Sequence, residues 1–151
     1  FSPEIEAIFG HRFVSLDLDT VIVDDVRRLW DRPEDFVIWG ETDKRSWYNG
    51  SMWMMTAGAR RQVWDRFDPR TSPQTAKRAG KFGSDQGWIS YVLGPGEATW
   101  TQTDGVYSYR VHIAPKGGTL PPNARMVMFH GKEDPWGYQA QHLRWVREHY
   151  Q

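Results

Sequence analysis

Phe13-Val14-Ser15-Leu16-Asp17-Leu18-Asp19-Thr20-Val21-Ile22-Val23 is the stretch on which the fold turns. The apolar run Phe13–Leu16 predicts a buried strand, and two carboxylates stand at its exit, spaced i and i+2. On a strand, alternate side chains share a face, so Asp17 and Asp19 are expected to point the same way. Acids held that close repel unless a cation lies between them. A divalent metal supplies that charge, and a metal beside an acidic pair commonly holds phosphates. The plainer alternative is a strand running into a polar loop, because a D-x-D by itself is a weak signal.

Outward from this stretch, short strand patterns alternate with helical ones. Ser2-Pro3 starts a helix over Pro3–Ile8, with proline at the first helical position. Asp24–Trp30 has apolar residues at helical spacing and acids in its first turn. Phe36–Trp39 reads as a strand closed by Gly40, and Tyr48-Asn49-Gly50-Ser51 reads as a turn entering the apolar strand Met52–Met55. Ala59–Phe67 is a helix candidate, and Asp68–Gly83 is rich in Pro, Ser, Thr and basic residues and predicts a loop or broken helix. Ser84 caps a helix through Leu93 that Gly94-Pro95-Gly96 ends. Ala98–Gln102, Val106–His112 and Arg125–Phe129 are strand candidates around the Gly/Pro loop Lys116–Asn123, and Tyr138–Tyr150 predicts a terminal helix. The alternation predicts an α/β fold, a mixed sheet flanked by helices, in a single domain over residues 1–151.

Composition narrows the function classes. Lys+Arg and Asp+Glu are equal at 19 each, which argues against a nucleic-acid partner, since that normally needs a basic excess. No apolar run approaches the length of a membrane span and no signal-peptide pattern opens the chain, so the expectation is no membrane span and a cytoplasmic location. With 0 Cys, disulfides and thiolate metal sites are excluded. The 9 Trp are many for this length, and an indole suits both core packing and stacking on sugar rings. Trp30, Trp64, Trp88 and Trp145 fall in helical patterns and are assigned to packing. Trp47, Trp53 and Trp136 lie near polar or Gly/Pro-rich motifs and are candidates for a pocket wall.

Three further motifs carry chemistry. Asp85-Gln86 stands at a helix start, where an N-cap role is the plain reading. Asn49-Gly50-Ser51 has a plain reading as a turn. Val127-Met128-Phe129-His130-Gly131-Lys132 places a histidine at the exit of an apolar strand. His130 is a candidate third metal ligand, Gly131 permits close backbone approach, and Lys132 stands where a phosphate needs a cation.

In this order, Leu16-Asp17-Leu18-Asp19-Thr20, Tyr48-Asn49-Gly50-Ser51, Ser84-Asp85-Gln86 and His130-Gly131-Lys132 with Pro135-Trp136 resemble the GT-A glycosyltransferases. The nearest group is glycosyltransferase family eight, which includes glycogenin and bacterial lipopolysaccharide galactosyltransferases. That family carries a D-x-D, an N-[SA]-G segment, a D-Q pair and a terminal H-x-x-G-x-x-K-P-W-like segment. The resemblance spans about residues 13–136. It implies metal-dependent transfer of a sugar, with retained configuration, from a nucleotide-diphosphate donor to a hydroxyl acceptor. Asp17, Asp19 and His130 would hold Mn²⁺ or Mg²⁺ on the diphosphate. Lys132 and Gly131 would contact the diphosphate. Asn49, Asp85 and Gln86 would line the sugar pocket, with Asp85 and Gln86 the catalytic candidates.

Two departures stand out: the order is Asn49-Gly50-Ser51, and the spacing from His130 to Lys132 is shorter than in the family. In GT-A enzymes the nucleoside-binding half also precedes the D-x-D, whereas sixteen residues precede Asp17 here. The resemblance therefore implies the metal and acceptor side of such a domain, incomplete at its N-terminus, with its activity in question. Two rival readings remain. Asp17-Leu18-Asp19-Thr20-Val21 also matches the first motif of haloacid-dehalogenase-like phosphatases, with Asp17 as nucleophile, Asp19 as acid/base and Mg²⁺. No later acidic pair completes that pattern. A non-catalytic carbohydrate- or partner-binding remnant is the other rival. The oligomeric state is not readable.

Overall fold

A computed structural model describes residues 1–40 and 45–150. These residues form two compact units, one of Phe1–Ser15 with Pro33–Thr99, the other of Leu16–Arg32 with the chain from Trp100 onward. Among the described residues no helix is long and apolar enough to cross a membrane.

In the first unit, α1 (Ile5–Phe9) leads into β1 (Arg12–Leu16), followed after the excursion through the second unit by β3 (Phe36–Gly40) and β4 (Tyr48–Thr56). Strand β2 (Thr20–Ile22) and α2 (Arg27–Trp30) belong to that excursion. The first sheet runs β1-β4-β3-β5, with β5 being Ala98–Trp100. Phe36, Val37 and Ile38 are fully buried and Trp39 nearly so, an unbroken apolar run suited to a strand covered on both faces. β3 and β4 are antiparallel with a register shift between Ile38 and Trp39. The turn expected at Asn49-Gly50-Ser51 is instead part of β4, and the shift absorbs the irregularity there.

Helices α3 (Gln62–Asp65), α4 (Ser72–Arg78) and α5 (Asp85–Leu93) complete this unit. Of the loop or broken helix expected over Asp68–Gly83, α4 is the helical part. Ser72-Pro73 carries the same start signal as Ser2-Pro3, and Ala76 is fully buried. Ser84 caps α5 as expected, its hydroxyl accepting the Gly87 amide. Trp88 is buried and donates to the Val63 carbonyl at 2.9 Å. Trp64, expected in the core, is 52% exposed. Trp53, expected at a pocket wall, stacks on Phe1 and meets Phe13 edge-on in the core.

The second unit is built on a mixed sheet, β2-β7-β6, with β6 being Val106–Ser108 and β7 Met126–Met128. β2 lies antiparallel to β7 and β6 parallel to it. Val21, Val106, Met126, Val127 and Met128 are all fully buried. The strand expected over Val106–His112 ends at Ser108. A π-helical turn, Tyr109–Ile113, follows, and π turns concentrate at functional sites. Tyr109 stacks on Phe129 with ring centroids 4.4 Å apart. The expected terminal helix is two pieces, α6 (Tyr138–Gln141) and α7 (Arg144–His149). Trp100, at the end of β5 within the strand candidate Ala98–Gln102, is fully buried, and its indole donates to the Leu29 carbonyl at 3.0 Å.

Gly87 has no room for a side chain: a Cβ there would lie 2.0 Å from the Phe82 carbonyl oxygen. Gly87→Ala must push α5 off the loop before it, at a cost of about 1–3 kcal/mol typical of overpacking. Urea unfolding checks this, and a variant as stable as the parent would show that the contact is loose.

Candidate functional site

The D-x-D does not lie on a strand. β1 ends at Leu16 and the chain turns at Leu18-Asp19 before β2 begins at Thr20. The alternation argument for Asp17 and Asp19 therefore does not apply. Leu18, at 90% exposed, is the tip of the turn. Two bonds hold it. The Phe129 amide donates to the Asp19 carbonyl at 3.0 Å, adding one rung to the β2–β7 ladder. The Tyr150 hydroxyl donates to the Leu18 carbonyl at 3.4 Å. The first of these places the acidic turn alongside Phe129-His130, so the two most distant motifs of the second unit meet at one end of its sheet.

His130 is anchored by Ser108, the last residue of β6. The Ser108 hydroxyl and His130 Nε2 are 2.7 Å apart, and the same hydroxyl accepts the Val111 amide at 3.1 Å. Ser108 is 2% exposed, so this pairing sits in a low-dielectric setting where it is worth most. The Ser108 amide in turn donates to His112 Nδ1 at 3.0 Å. Ser108 is thus a positioning residue that motif reading missed; its only signal in the sequence was its place within the strand candidate Val106–His112.

Charge is concentrated here. Burial pushes the Asp19 carboxyl above its ordinary range; the Asp17 carboxylate adds to the shift and Asp134 adds a little more. Asp19 Oδ1 and Glu133 Oε2 are buried atoms that have no hydrogen-bond partner among the described residues. A buried carboxylate oxygen left without a donor is costly, and a hard cation with oxygen ligands would relieve it. The Asp19 donor set therefore fits a divalent metal in its chemistry. In its arrangement, no group of three His, Cys, Asp or Glu among the described residues is placed to hold a metal ion, so Asp17, Asp19 and His130 do not form such a trio. Gly131 follows His130 with φ +89°, a left-handed conformation natural to glycine. Lys132 is exposed beyond it.

The other motifs lie in the first unit, and two of them meet. Asn49 is buried in β4, its side-chain oxygen accepting the Ser51 amide at 2.9 Å. A Cβ on Gly50 would lie 3.2 Å from Asp85 Oδ2, so Gly50 is what lets the Asp85 carboxylate approach the strand. Asp85 Oδ1 accepts the Gln86 amide at 2.7 Å. Gly50 thus brings together two segments, Asn49-Gly50 and Asp85-Gln86, each of which reads locally as a turn or a cap.

No family model matches the chain, and no curated protein sequence does. Solved structures do. The galactosyltransferase LgtC, in complex with donor and acceptor sugar analogs, matches 97% of this chain with a TM-score of 0.59 at 13% identity. The glycosyltransferase GlyE of Streptococcus pneumoniae TIGR4 matches 97% of it with a TM-score of 0.61 at 11% identity. The fold is glycosyltransferase-like. The chain spans 70% of the length of LgtC and 44% of that of GlyE. At such identities the likeness is one of fold, and function has to be argued from the residues.

The Asp19 environment has a pH signature. A carboxyl whose pKa rises on folding holds its proton more tightly in the folded chain. Its contribution is most favourable below the unfolded value of about 3.9 and declines as pH climbs through the folded value. Asp19→Asn removes that decline. The variant is expected to melt above the parent at pH 7 in metal-free buffer, the gap closing toward pH 4. A gap independent of pH would show that Asp19 carries no such repulsion.

Proposed function

We propose that this chain is the metal- and acceptor-side part of a glycosyltransferase that moves a sugar from a nucleotide-diphosphate donor to a hydroxyl acceptor. The observation that carries the reading is the Phe129-to-Asp19 hydrogen bond, which joins the D-x-D turn to the His130-Gly131 segment within a glycosyltransferase-like fold. Both neighbours named above are glycosyltransferases, and LgtC was captured with donor and acceptor analogs.

In this reading Asp17, Asp19 and His130, which form no ligand trio as they stand, would come together only around a bound Mn²⁺ or Mg²⁺. The cation, when bound, neutralises charge that builds on the departing diphosphate. The chain's own residues divide the remaining work. Asp19 presents its partnerless Oδ1, Ser108 holds the His130 ring, and Gly131 brings backbone close to the phosphates with Lys132 as a nearby cation. Asp85 and Gln86, which adjoin the Asn49-Gly50 segment of β4, would meet the sugar. During transfer the bond from the anomeric carbon to the phosphate oxygen breaks, its electron pair leaving with the diphosphate. The acceptor oxygen bonds to that carbon and passes its proton to the departing diphosphate oxygen. Holding donor and acceptor in line is the main contribution asked of the protein. Retention of configuration, as the family resemblance implies, is part of the proposal.

Calorimetric titration with Mn²⁺ tests the metal role. The parent is expected to bind one equivalent, and Asp19→Ala and His130→Ala are each expected to weaken binding at least tenfold while keeping the parent's circular dichroism. Equal heats for parent and variants would remove the site.

A further inference from the structure

Arg110 is a charged side chain that neither the acidic turn nor the expected phosphate contacts account for. It sits in the π-helical turn Tyr109–Ile113, directly after the strand that carries Ser108. Three interactions fix that turn. Tyr109 stacks on Phe129, the Val111 amide is held by the Ser108 hydroxyl, and His112 Nδ1 accepts the Ser108 amide. Arg110 is therefore presented by a rigid frame, although its side chain is exposed. Its guanidinium reaches back over Gly131: a Cβ on that glycine would lie 3.0 Å from Arg110 Nη1. So the lack of a side chain at residue 131 serves a purpose beyond its φ. It leaves the space that the guanidinium fills, next to His130.

Among the described residues no hydrogen bond or ion pair involves Arg110. That contrasts with Arg60, which pairs with Glu97 and Asp35, and with Arg27, which pairs with Asp25. A guanidinium carried on an ordered turn, with no side-chain partner among the described residues, keeps its planar fork of donors for a ligand, and that fork matches two phosphate oxygens at once. Lys132 is a point charge on a flexible stem and does not offer the same geometry.

We infer that Arg110 is a diphosphate-binding residue, its guanidinium lying against Gly131 beside His130. The inference rests on the transferase reading above for the identity of the anion, and on the Arg110–Gly131 contact for the residue.

Binding of inorganic pyrophosphate tests it, measured by calorimetry with Mg²⁺ present and again without, on the parent chain and on Arg110→Gln, Arg110→Lys and Arg28→Gln. Arg28 is an exposed arginine of the same unit and controls for the loss of one positive charge. Arg110→Gln is expected to weaken pyrophosphate binding by about tenfold or more, as for a charge-assisted pair. Arg110→Lys is expected to recover only part of that, and Arg28→Gln to stay within about twofold of the parent. Mg²⁺ affinity in the absence of pyrophosphate is expected to be unchanged in all three. Equal weakening by Arg110→Gln and Arg28→Gln, or none by either, would overturn the inference, and so would a parent that binds no pyrophosphate. Loss of pyrophosphate binding through Arg110 in a chain that binds no Mg²⁺ would uphold Arg110 and overturn the metal site instead.

Discussion

A single backbone hydrogen bond, from the Phe129 amide to the Asp19 carbonyl, holds the candidate chemistry of the second unit together. It is the last rung of a ladder that pairs Thr20 with Met128, Val21 with Val127 and Ile22 with Met126, with Val21 and all three β7 residues fully buried. Those pairs set the register, and a one-residue slip would turn every side chain to the other face. The rung brings together an acidic turn and a histidine more than a hundred residues apart in the chain. Everything argued for the site depends on it: the repulsion between Asp17 and Asp19, the orphaned oxygen of Asp19, and the nearness of His130, Gly131 and Arg110.

The surroundings serve that rung. Phe129 is fully buried and stacked on Tyr109, so the strand end cannot fray. Ser108 ties the neighbouring strand to His130 and to the turn that bears Arg110. The result is a rigid apolar sheet ending in a patch of four acids and three bases: Asp17, Asp19, Glu133 and Asp134 against His130, Lys132 and Arg110. Repulsion among the acids is an energetic cost that the fold carries. Sites that bind metal and phosphate often carry such a cost, since the ligand that relieves it gains affinity.

Much of this was legible in the sequence, and the limits have physical causes. Apolar runs placed β3 and β7, because a strand buried on both faces leaves a continuous signature. Ser84 announced α5 because a cap is a local event. Strand β6 was expected to continue through His112, but Ser108 turns the chain by accepting the Val111 amide, a bond that no periodicity encodes. For the D-x-D the plainer of the two readings holds, a strand ending at Leu16 and running into a polar turn, since β1 and β2 belong to different sheets. Of the site, Asp17, Asp19 and His130 were named from motif spacing alone. Ser108, Arg110 and the contact of Gly50 with Asp85 were not, because each exists only through tertiary proximity. Trp64 shows the opposite error: helical spacing suggested packing, yet consecutive helical residues point about 100° apart, and on α3 it is Val63 that faces the core.

Paramagnetic line broadening by Mn²⁺ in the ¹⁵N-labelled chain tests the central claim most directly, because it reports where a cation sits without requiring turnover. Substoichiometric Mn²⁺ is expected to erase first the amide signals of Leu18, Asp19, His130 and Gly131, with Arg110 next, and to spare Asp24 and Asp25 at the far end of β2. Broadening centred on Asp24 and Asp25, or spread evenly over all exposed acids, would contradict a cation site at the acidic turn.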